Sequence, residues 1–150
     1  MNILDKIIAH KKHEVELRKK DISVKELERS AFFSLPVLSI KKSLLESSDY
    51  GIIAEYKRKS PSKGIINDRA PVVKTTSGYE KAGAAGLSIL TDSEFFGGST
   101  EDVLAVRNSI KIPILRKEFI IDEYQIVEAK SIGADVIPVS YTHLTLPTNR

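Results

Sequence analysis

Residues 51–64 read GIIAEYKRKSPSKG, an apolar run that passes without a break into a basic tail rich in serine and proline. Read as a strand, the run points Ile52, Ala54 and Tyr56 to one side and Ile53, Glu55 and Lys57 to the other, because alternate side chains share a face. Glu55 and Lys57 then stand at the strand's C-terminal end, where parallel α/β proteins bind their ligands. A second stretch, IPILRKEF at 112–119, repeats the arrangement: Leu115 and Lys117 share a face, and Lys117 again comes last. Two lysines and a glutamate are thereby delivered to one rim. An ion pair between Glu55 and one lysine is the purely structural alternative; the convergence of three such residues favours a functional site.

The rest of the chain sets these strands in an alternating frame. Before Gly51 the pattern is helical. Leu4, Ile7, Ile8, Val15 and Leu17 mark an apolar face over 2–20, with Asn2 and Asp5 as a capping start. Lys6, Lys11, Lys12, Arg18, Lys19 and Lys20 are read as the solvated face, shared with Glu14 and Glu16; a phosphate-binding face is the alternative. Ser23 and Glu26 cap a short second helix, and a third spans about 37–48. After Gly51, apolar runs at 52–56, 87–90, 114–115 and 136–137 alternate with helical patterns, giving the order β-α-β-α-β-α-β. Pro71 opens a helix over 71–82, where Thr75-Thr76-Ser77-Gly78 is poor helix material. Ser99 with Asp102 and Asp122 with Gln125 form capping pairs, and helices end at Gly83 and Gly133. KAGAAGLSIL (81–90) and SIGADVIPVS (131–140) echo each other as helix end, Gly-Ala, strand.

Composition narrows the chemistry. The 150 residues are 41% hydrophobic and 29% charged, enough apolar matter for a folded core. A net charge of +3 suits an anionic ligand without naming it. The absence of cysteine excludes disulfides, thiol catalysis and cysteine-ligated metals, and fits a reducing cytoplasm. No run is long enough to span a bilayer, and the N-terminus has its charges in the wrong order for a signal peptide. His10, His13 and His143 show no metal-ligand spacing, so no metal is expected. The SEFFGGST stretch at 93–100 carries a Gly pair before a helix start, a weak phosphate signal without a dinucleotide or P-loop fingerprint. A glutamate and two lysines on one rim support acid–base chemistry on an anion, with the lysines as proton donors. They support Schiff-base formation equally well, and the residues around Lys117 do not separate the two.

Three segments, IIAEYKRKSPSKG (52–64), YEKAGAAGLSILTDSEFFGGS (79–99) and IPILRKEFIIDEYQIVEAKSIGAD (112–135), resemble in order and spacing the N-terminal half of the indole-3-glycerol phosphate synthase family. The resemblance runs from about Met1 to Ile137 and implies an α/β fold, the first part of a (β/α)8 TIM barrel. It divides the chain into a helical extension at 1–50, four βα units begun at 51–137 and an atypical tail at 138–150, read as non-native. The implied reaction closes the indole pyrrole ring in tryptophan biosynthesis, converting carboxyphenylamino-deoxyribulose phosphate to indole-glycerol phosphate, carbon dioxide and water. Lys117 matches the family's general acid, Lys57 the lysine that meets the substrate's anionic groups, and Glu55 the glutamate that orients the lysines. Ser60 matches a position that helps hold an anionic group, and Phe96 and Phe119 match walls of the aromatic pocket. The resemblance implies no metal or organic cofactor. The partner it implies is a small anionic phosphate, not nucleic acid or membrane. The intact protein would be a monomer or a fusion with another tryptophan-pathway enzyme. The family's later glutamate, asparagine and phosphate loops match nothing in these residues, so the chain by itself is expected to be inactive. Another phosphate-sugar barrel enzyme with a Schiff-base lysine, and a basic nucleic-acid-binding module, are the competing readings.

Overall fold

The computed structural model describes residues 2–47 and 50–139. Strand β1 (Ile53–Tyr56) runs parallel to β4 (Gly86–Leu90), which runs parallel to β5 (Ile114–Lys117), in the order β1-β4-β5. Helices α4 (Val72–Lys81), α5 (Thr100–Arg107) and α6 (Glu123–Ser131) follow the strands in turn. The expected alternation is therefore present up to its last strand. At 136–137 only a bridge forms, Val136 to Leu115. Pro138, which has no N–H to donate and restricts the residue before it, stands where that strand would continue. Most of the 138–150 tail lies outside the described residues.

The register fixes which side of the sheet is which. Glu55 pairs with Ser88, Ser88 with Leu115, and Leu90 with Lys117, so these side chains share one face. The opposite face is the core: Leu87, Ile89 and Ile114 pack against Val103, Val106, Ala129 and Ile132 of the helical layer. Every residue of β4 is buried, Ser88 included, as befits the central strand of a parallel sheet.

Helix ends follow local chemistry. Asn2/Asp5, Ser23/Glu26 and Asp122/Gln125 form reciprocal capping boxes, and Gly83 and Gly133 take φ of 92° and 87° at the helix ends. The Ser99/Asp102 pair does not cap: Ser99 makes no capping bond, and the Asp102 carboxylate binds both terminal guanidinium nitrogens of Arg58. The charged partner outcompetes the backbone amide. Helix α4 forms despite its threonines because Val72, Val73 and Tyr79 pack it on the core; the threonine hydroxyls bond back to Pro71 and Val72 carbonyls at 2.9 and 2.8 Å. Pro71 occupies the N-cap position, one residue earlier than expected, and makes no side-chain capping bond.

The N-terminal segment wraps the sheet. Helix α1 (Ile3–Asp21) docks through Val15, which clusters with Tyr124 and with Leu27 of α2 (Val24–Leu27). The Tyr124 hydroxyl donates to the carbonyls of Arg18 and Ile22, satisfying the helix end. Helix α3 (Ile40–Leu45), shorter than the expected 37–48, lies at the other end of the sheet, where Ser43 donates to the Ala85 carbonyl. Two expectations for α1 fail. Leu4 and Leu17 are largely exposed, and Lys11, assigned to the solvated face, is 1% exposed. Among the described residues no helix is long and apolar enough to cross a membrane.

Candidate active site

The tail of the opening stretch folds into a hairpin the sequence reading did not anticipate, with β2 (Lys59–Ser60) antiparallel to β3 (Gly64–Ile65). The Ser60 hydroxyl accepts from the Lys63 amide across the turn, and Gly64 takes φ 65°. Serine, proline and glycine in SPSKG were the legible turn signal. The basic residues just before the turn tie it to the segment after β4. Arg58 donates to the Gly97 carbonyl and Lys59 to the Glu94 carbonyl.

That second segment, 93–98, is shaped by Asp92. Its Oδ1 accepts from the amides of Phe95 and Phe96 at 2.7 and 3.2 Å, and its carbonyl from Gly98 at 2.8 Å. A Cβ on Gly98 would lie 2.0 Å from the Leu90 carbonyl oxygen, so the backbone can pass only as glycine. Gly98→Ala is expected to destabilise the protein by about 1–3 kcal/mol, seen as a lower urea midpoint with unchanged slope.

Between these segments lies a cavity of about 270 Å³ at the C-terminal ends of β1, β4 and β5. Glu55, Lys57, Lys117, Phe96 and Phe119 all line it, together with Ile8 from α1 and Pro138. Ser60 lines an adjoining cleft that shares Lys57, Phe96 and Phe119. The six residues singled out from the sequence thus come together. Lys57 Nζ is 3.1 Å from Glu55 Oε1, and Glu55 Oε2 accepts from Ser88 at 3.0 Å. Lys117 makes no ion pair among the described residues and meets the cavity across from that pair. The rings of Phe96 and Phe119 stand 6.0 Å apart, tilted by 40°, and form an aromatic wall. The set can present an ammonium to a carbonyl oxygen, a second ammonium to an anion, and flat walls to a ring.

Behind the wall is a buried ionic network. Lys11 Nζ lies 2.7 Å from Glu14, 3.0 Å from Asp92 and 3.0 Å from Glu118. Arg116, with no exposed surface, binds Glu128 at 2.5 Å, and Glu128 binds Arg18 at 2.8 Å. Burial works against the charged form of Lys11, but Glu118, Glu14 and Asp92 outweigh it and hold the ammonium above the usual lysine range. The spacing Ile7–Lys11–Val15, four residues each, put Lys11 on the buried stripe and was the signal that could have located it.

The sequence model of the indole-3-glycerol phosphate synthase family matches residues 4–146, running past Ile137. An indole-3-glycerol phosphate synthase of Bacteroides thetaiotaomicron is 48% identical over 136 residues, covering 91% of this chain and 52% of that protein. Those of Hyphomonas neptunium and Syntrophobacter fumaroxidans are 45% and 41% identical, covering 89% and 91% of this chain and 52% of each relative. The chain spans about half the length of the curated relatives it matches. Since the family match takes in both lysine-bearing strands, the 93–98 turn and the N-terminal helices alike, the chain belongs to the indole-3-glycerol phosphate synthase family.

Proposed function

We propose that the protein to which this chain belongs converts carboxyphenylamino-deoxyribulose phosphate to indole-glycerol phosphate, by ring closure, decarboxylation and dehydration. The observation that carries this is Lys117, without an ion-pair partner among the described residues, facing the Lys57–Glu55 pair across a cavity walled by two aromatic rings. In this reading Lys117 gives its proton to the substrate's carbonyl oxygen as the ring carbon attacks, and carbon dioxide then leaves. Lys57 holds an anionic group of the substrate and donates a proton as the hydroxyl departs as water, while the proton lost from the neighbouring methylene as the pyrrole double bond forms goes to the later glutamate that would come from the other part of the barrel. Glu55 orients Lys57 through the 3.1 Å contact and is itself held by Ser88. Phe96 and Phe119 wall one side of the substrate's ring, and Ser60 helps hold an anionic group in the adjoining cleft. No metal or organic cofactor enters.

The fold that goes with this function is the first part of a (β/α)8 barrel: a helical extension over 1–50, four βα units begun over 51–137, and an atypical tail at 138–150. The parallel order β1-β4-β5 with helices on one face supports it. The later glutamate, asparagine and phosphate loops would come from the other part of the barrel. We place the protein in the cytoplasm, as a monomer or joined to another enzyme of the same pathway.

The direct test is product formation by a protein of the relatives' full length carrying these residues. In that protein Lys57→Met is expected to raise KM at least about 10-fold as well as lower turnover, because an anion loses its partner inside a sheltered pocket. An unchanged KM would remove Lys57 from substrate binding. An unpaired lysine facing a cavity also suits Schiff-base chemistry, and borohydride distinguishes it: a trapped adduct at Lys117 with a carbonyl substrate would favour that reading. Against a nucleic-acid module, Arg58, Lys59, Lys11, Arg18 and Lys19 all have partners within the chain.

A further inference from the structure

Lys11 is the most deeply enclosed lysine among the described residues, and it belongs to a helix that supplies none of the polar groups lining the cavity. Its ammonium reaches both Asp92, just beyond β4, and Glu118, just beyond β5, each at 3.0 Å. Each of those carboxylates also holds a backbone turn. Asp92 accepts from the Phe95 and Phe96 amides, and Glu118 Oε1 accepts from the Phe119 amide at 2.9 Å. Glu118 is the direct neighbour of Lys117 in the chain. We propose that Lys11 is a positioning residue: its ammonium clamps together the two turns that carry Phe96 and Phe119, and so sets how those rings stand in the aromatic wall beside Lys117.

The physical case is one of charge. Without Lys11, Asp92 becomes a buried carboxylate with no cation partner among the described residues, and Glu118 keeps only Arg116 at 4.0 Å and the Thr91 hydroxyl. Such groups repel, take up a proton or draw in water. Each response alters the carboxylates on which the Phe95, Phe96 and Phe119 amides depend, so the rings move. Glu14, the third partner, lies on α1 itself and braces neither turn.

The kinetic part of this inference rests on the proposed reaction; the geometric part does not. In a protein of the relatives' full length, trifluoromethyl-phenylalanine is placed singly at position 96, 119 or 33, the last as a remote reference. Lys11→Met is expected to move or broaden the fluorine resonances at 96 and 119 and leave that at 33 in place. It should also lower kcat/KM by roughly 10- to 100-fold, the scale of a small misplacement near the reacting atoms. Asp92→Asn keeps the acceptor for the turn amides but breaks the bridge, and should move the resonance at 96 even if Lys11→Met does not fold. Glu14→Gln should move neither. Unchanged resonances at 96 and 119 in whichever of the two bridge variants folds would overturn the proposal. So would equal shifts at all three positions, which would make Lys11 a residue of general stability. Were the unsubstituted protein to form no indole-glycerol phosphate, the proposed reaction would fail while the fluorine result still decided the clamp.

Discussion

Replacing Lys117 with methionine in a protein of the relatives' full length is expected to lower turnover by roughly 100-fold or more, with a much smaller change in KM. Methionine keeps the apolar stem and packs in the same space, so the change removes the proton and the charge but little volume. Lys117→Arg separates those two. Arginine retains the cation but does not give up a proton at ordinary pH. If Lys117 works by proton donation, the arginine variant should be nearly as slow as the methionine variant; if it works by charge alone, arginine should restore most of the rate. Full turnover by the methionine variant would remove Lys117 from the chemistry.

How far the site was legible depends on which physical rule wrote it. Strand parity is geometric, so Glu55, Lys57 and Lys117 could be placed on one face from spacing alone, and the register Glu55–Ser88–Leu115 agrees. Capping boxes are equally local, and three of the four expected pairs form. The misreadings share a cause: a distant partner overruled a local preference. Asp102 left its helix end for Arg58, forty-four residues away. Lys11 looked like a solvated charge because lysine is rarely buried, and local Glu14 makes its burial tolerable only together with Asp92 and Glu118, more than eighty residues on. Helix α3 starts late because Ser39 caps it, accepting from the Lys42 amide, and the Leu38 amide ahead of that cap is bonded to Asp135. The hairpin at 59–65 was a different miss, since its turn residues were visible but the ladder is only two residues long on each side.

The 150-residue chain expressed alone is expected to form no detectable indole-glycerol phosphate and to self-associate. Strand β1 pairs on one side only, with β4, and beyond β5 the described residues add just the Val136 bridge. Open edges of this kind recruit other chains. If the sheet is the first part of a barrel as proposed, closure would remove both edges, and three strands with one bridge cannot close. The face that would become the interior is also partly bare: Ile53 is 40% exposed beside Glu55. The helical layer covers only the other face, through Leu87, Ile89 and Ile114. Edge pairing and apolar contact should therefore bring chains together, or leave a loosened state that binds hydrophobic dyes. Catalysis fails for a separate reason. Lys117, Lys57 and Glu55 are present, but the later acid and the phosphate loops proposed for the other part of the barrel are not, so the substrate's phosphate has no dedicated seat. Sedimentation and dye binding test the first half, and a product assay on the same sample tests the second. A monodisperse monomer with measurable turnover would show that these residues build a complete site by themselves, and the half-barrel reading would have to be abandoned.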